Sequence, residues 1–124
     1  MKRAVDLRVT STEDLVILYR DSCIAFSMDI DAERIAPLRR RFDAIMAIEA
    51  ELKSRPGDQR RALLVLLGQG NLQARLMAAT ALLAIDREAA IRDLQEIAGA
   101  NWYPQAADDK LTLRNLAEGR YIPS

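Results

Sequence analysis

The stretch GNLQARLMAATALLAID, running from Gly70 to Asp86, decides the fold. Between Asn71 and Asp86 its one charged side chain is Arg75. Leu72, Leu76, Ala79 and Leu83 mark one helical face, and Ala78, Ala81 and Ala84 mark others. Alanine is the best helix former, and its small side chain lets neighbouring backbones approach closely. A helix that is apolar nearly all round is covered on more than one side. The spacing therefore predicts an inner helix over about Leu72–Ile85, capped by Asn71.

The neighbouring segments read as helices too. On the N-terminal side, Asp58–Leu67 is expected to be helical, with Asp58 as cap. Its run Leu63 to Leu67 leaves no polar side, which predicts burial on several faces. On the C-terminal side, Asp86 caps a helix over about Arg87–Ala98 with Ala90, Ile91, Leu94 and Ile97 inward. A sixth helix follows the loop GANWYPQ, with Pro104 at its first position and Gly119 past its end.

The first half of the chain predicts a helical pair. Ser11 and Thr12 precede a helix to about Ser27, with Leu15, Leu18, Tyr19, Ser22, Cys23 and Phe26 as its stripe. Asp29 or Asp31 is the expected cap of a second helix ending near Ser54, and Pro37 lies near its start. Its stripe is Ile35, Leu38, Phe42, Ile45, Met46 and Leu52, and RPGD stops it. Residues 1–10 read as an extended arm.

An internal repeat is visible at an offset of 28: Asp58, Ala62, Leu63 and Leu66 match Asp86, Ala90, Ile91 and Leu94. The longer second turn then matches Asn71 to Asn101. One helical hairpin used twice predicts an all-α fold, a short right-handed α-solenoid of about six helices. The 124 residues read as one domain, with a helical pair over 12–55 and repeats over 58–85 and 86–119.

Composition narrows the function. Eighteen Lys and Arg balance eighteen Asp and Glu, so there is no basic excess of the kind general nucleic-acid binders show. No His is present, which removes the commonest general base and metal ligand. Cys23 is the single cysteine and reads as a buried small hydrophobe, consistent with a reducing compartment. No window has the length of a signal-peptide core or a membrane span, so a soluble, cytoplasmic protein without membrane contact is expected. Phosphate-loop, nucleophile-elbow and zinc motifs are all missing from the sequence. The expectation is a non-enzyme with no catalytic residue, metal or cofactor.

The candidate partner contacts are few. Trp102 and Tyr103 sit in the loop beside Pro104, where aromatics plug the gap between repeats or stand out as interface anchors; the plug is the favoured reading. Arg39, Arg40 and Arg41 form the one basic run and fan over most of a helical turn, with Arg39 in reach of Asp43. Arg60 and Arg61 lie in the first turn of a helix, where cations are mildly unfavourable, which hints at an acidic partner within the protein or outside it. Asp108 and Asp109 read as solvated or capping acids, and Glu49 as a surface pair with Lys53.

NLQARLMAATALLAID resembles the second helix of a HEAT-like repeat, with Ala74, Arg75, Ala78, Ala79, Ala81 and Leu82 in the V/L-R-x-x-A-A-x-A-L register. The run NWYPQAADDKLTLRNLAEGRYIP is similar to the tail of a small bacterial family of uncharacterised proteins that join such a hairpin to W-x-P-Q-A…L-x-E-G-x-Y-x-P. The resemblance implies a domain of unknown function. HEAT-like repeats elsewhere bind proteins, and some bind nucleic acid. A protein–protein interaction module is therefore the leading expectation, a partner or inhibitor of another bacterial protein. Nucleic-acid binding through clustered arginines is the alternative. A three-pair stack with an uncovered apolar end also leaves room for a homodimer.

Overall fold

A computed structural model describes residues 5–124; the first four residues of the expected N-terminal arm lie outside the described residues. The chain is all-α, with no strand among the described residues. Contacts divide it into two compact units, Met1–Ala62 and Leu63–Ser124.

The first unit is a helical hairpin. A 3₁₀ turn, Leu7–Val9, stands in the expected arm. Helix α1 spans Thr12–Asp31, and the Ser11 hydroxyl accepts the Asp14 N–H at 3.1 Å, as its capping role requires. α1 runs four residues beyond the expected Ser27. Asp29 and Asp31 therefore lie inside it and cannot cap α2, which spans Ile35–Ser54. Asp29 is instead 7% exposed and takes the Arg41 guanidinium at 3.3 Å. The tight connection holds Glu33 at φ +55°.

Leu15, Tyr19 and Cys23 of α1 meet Ile45, Ile48 and Leu52 of α2 in the core of this unit. The N-terminal part of the expected α2 stripe does not join them. Ile35 is 82% exposed, and Phe42 is half-exposed against Phe26, ring centroids 6.2 Å apart. Past α2, the Arg55 side chain reaches back to Glu51, Thr12 and the carbonyls of Leu7 and Thr10, tying the incoming chain to the end of the hairpin.

Gln59–Leu66, expected as an α-helix, is a 3₁₀ segment. Asp58 at φ +51° cannot serve as an α N-cap, and Gly68 and Gly70 at φ above +80° close the segment. Its apolar run is covered unevenly: Leu63 is fully buried and Val65 is mostly exposed.

In the second unit, α3 spans Leu72–Leu82, α4 Arg87–Ala100 and α5 Gln105–Ala117. The predicted caps operate: Asn71 accepts the Ala74 N–H at 3.0 Å and Asp86 the Ala89 N–H at 3.2 Å. α3 stops three residues before the expected Ile85. Ala74, Leu76, Ala78, Ala79, Ala81 and Leu82 are buried along α3, as its alanine pattern predicts; Ala84 is exposed. Consecutive helices pack on each other, and Gln105 donates to Gln73 at 3.1 Å between α5 and α3. Pro104 precedes α5, one residue before the position expected for it. The matched asparagines differ in role: Asn71 begins α3, whereas Asn101, at φ +56°, ends α4.

Candidate functional site

The turn from α4 to α5 presents the aromatic pair. Asn101 takes the left-handed conformation that an asparagine tolerates, and this directs the chain away from α4. Trp102 and Tyr103 then stand 66% and 63% exposed. The plug expected of them is not formed. Lys110, about one and a half turns into α5, reaches back over the loop. Its ammonium donates to Asn101 Oδ1 at 3.1 Å and to Tyr103 Oη at 3.3 Å, and lies 5.6 Å from the Tyr103 ring centroid. One lysine thus ties the helix end to the exposed ring.

The arginines expected to contact a partner separate into two groups. Arg39, Arg40, Arg41 and Arg61 are exposed. Arg41 pairs with Asp29, whereas the expected ion pair between Arg39 and Asp43 is not formed. Arg60 is 8% exposed and folds back on Asp58 at 2.7 Å, holding that carboxyl below its ordinary pKa. The acidic neighbour sought for Arg60 therefore lies within the protein.

Two carboxyls, the half-buried Glu49 and the fully buried Asp109, depart from the surface roles expected of them. Glu49 accepts the Tyr19 hydroxyl at 2.8 Å. Burial raises its pKa to about 6, against the opposing pull of Tyr19 and of the Arg60 charge. The same burial, with the Glu49 charge, pushes the Cys23 thiol up to about 12. Asp109 is fully buried, and its carboxyl oxygens make no well-formed hydrogen bond; the Ala98 backbone N–H pulls on the carboxyl only weakly. Burial, then the charge of Asp93, push it up to about 7, against the opposing pull of the Ala98 N–H and of the Arg75 charge. Asp93, also buried, accepts the Gly68 N–H at 2.9 Å and the Arg75 guanidinium at 2.7 Å.

Spacing carries the signal for both. Glu49 falls among Ile45, Ile48 and Leu52, and Asp109 among Ala106, Leu113 and Leu116. Each acid occupies an apolar-stripe position. Among the described residues no three metal-ligating side chains gather, and no helix is long and apolar enough to cross a membrane.

These features define an all-α protein of short helical hairpins that turns aromatic and cationic side chains outward. The chain belongs to the family described as Domain of unknown function (DUF2019), whose model matches residues 13–117. It is similar to the crystal structure of the protein RPA1889 from Rhodopseudomonas palustris CGA009, with a TM-score of 0.94 and 36% identity over 98% of this chain and 100% of that one. No curated protein matches it.

Proposed function

We propose that this protein is a protein–protein interaction module assembled from HEAT-like hairpins, and that Trp102 and Tyr103 are its anchors. The observation that carries the reading is their exposure together with the Lys110 clamp. Interface hot spots are enriched in Trp, Tyr and Arg. Anchors already held in place lose less conformational freedom on binding, and that raises affinity.

Affinity capture from the native cell with tagged protein tests this. A partner protein recovered by the wild type and by an Arg39/Arg40/Arg41→Glu variant, but lost with Trp102→Ala, is the expected result. Recovery that nuclease abolishes, and that disappears with the Glu variant while surviving Trp102→Ala, would replace it with nucleic-acid binding through the exposed arginines of α2.

A further inference from the structure

Asp109 and Lys110 are neighbours on α5 with opposite surroundings. Lys110 faces outward and holds Asn101 and Tyr103. Asp109 points inward and is fully buried, with no well-formed hydrogen bond to either oxygen and only the weak pull of the Ala98 N–H.

The charged groups facing Asp109 come from the two helices packed against α5. From α4 comes Asp93, a like charge; from α3 comes Arg75. Arg75 is already engaged, 2.7 Å from Asp93 and 3.7 Å from Glu96 of α4. On α5 itself the flanking Asp108 and Lys110 are exposed. An ionised carboxylate without hydrogen bonds is far costlier to bury than a neutral carboxyl. Burial without a well-formed hydrogen bond therefore favours the protonated acid in the packed arrangement.

We infer that Asp109 is a proton-operated latch on the aromatic loop. With its proton in place, α5 seats fully and Lys110 pins Tyr103. When the proton leaves, the carboxylate moves toward water, the first turns of α5 shift, and the clamp on Asn101 and Tyr103 opens. The inference deepens the interaction reading by giving its anchors a control: the preorganised epitope exists below the transition and is loosened above it.

Trp102 is the single tryptophan and reports on the loop without any partner. Its fluorescence is followed in the full chain from acid to alkaline pH, alongside the carboxyl-carbon NMR titration of Asp109. The wild type is expected to show one fluorescence transition centred near 7, matching the Asp109 titration. Asp109→Asn should abolish it. Asp93→Asn removes the like charge and should move it to lower pH. Glu49→Gln, in the other unit, should leave it in place. A transition that survives in Asp109→Asn, or an Asp109 carboxyl that titrates in the ordinary carboxylate range, overturns the latch. Should Asp109→Asn not fold, the wild-type carboxyl titration decides. Because no binding is measured, failure here leaves the interaction reading standing, and failure of the capture experiment leaves the latch standing.

Discussion

Arg75 of α3 meets Asp93 of α4 at 2.7 Å, and the same Asp93 carboxylate accepts the N–H of Gly68 in the turn that leads to α3. Asp93 is 3% exposed, so the guanidinium is what makes its charge tolerable there. The pair raises the already high pKa of Arg75 further.

Removing the cation alone leaves an uncompensated buried charge, which typically costs ~3–5 kcal/mol. Arg75→Met is expected to destabilise the chain by that amount in urea denaturation. Arg75→Met with Asp93→Asn should recover part of the loss, because the amide oxygen still accepts the Gly68 N–H. Equal stability of the single and double variants would show that the ion pair is not what holds Asp93 in place.

Asp109 makes stability depend on pH. Its folded pKa of about 7 lies above the ordinary 3.8, so the folded chain binds this proton more tightly than the unfolded chain. The stability it contributes is fully present below the unfolded value and is lost as pH rises through about 7. At ~1.36 kcal/mol per unit the loss is about 4 kcal/mol at alkaline pH. Glu49, raised from 4.5 to about 6, acts in the same direction over its own narrower window. Asp109→Asn is expected to be more stable than the wild type at pH 8 and nearly equal to it at pH 4. Denaturation at the two pH values checks this, and a gain of the same size at both would contradict it.

Much of the helical framework was legible, because caps and stripes are local. Ser11, Asn71 and Asp86 stand immediately before helical runs and cap as their chemistry predicts. The Leu63–Leu67 run carries no such signal, because an unbroken apolar string has no period and fixes neither helix type nor buried side. The spacing of four to Lys53 points Glu49 outward and a first-turn position makes Asp109 a capping acid, whereas both positions belong to the apolar stripe. The exposure of Trp102 and Tyr103 depends on where Asn101 turns the chain, and that is a property of the folded turn.

The aromatic pair should be dispensable for folding. Trp102 and Tyr103 are mostly exposed, and surface substitutions away from buried features usually stay within about 0.5 kcal/mol. Trp102→Ala is expected to melt with the wild type while losing the captured partner. A large drop in melting temperature would mean that the ring supports the fold, and its use as an anchor would then need separate proof.

Depth, more than hydrophobicity, should govern the response to a new charge. Leu76 is 5% exposed on α3, whereas Val65 is 69% exposed on the 3₁₀ segment. Leu76→Asp places a carboxylate in the layer where the α3 alanines pack most closely, and is expected to unfold the second unit. Val65→Asp should leave helicity and melting temperature close to wild type. Circular dichroism compares the two, and retained cooperative melting in Leu76→Asp would refute the close-packed reading of α3.

Cys23 gives a probe of opening in the first unit. It is fully buried between the hairpin helices, and burial with the Glu49 charge pushes its thiol from 9.0 up to about 12. The thiolate is the reactive species, so at pH 8 a shift of this size lowers the reactive fraction about a thousandfold before any steric protection is counted. A disulfide reagent is expected to leave Cys23 untouched in native buffer and to modify it at the rate at which the hairpin opens. Added denaturant should speed the reaction in step with unfolding. Rapid modification in native buffer, with helicity unchanged, would show that the thiol is reached without opening the hairpin.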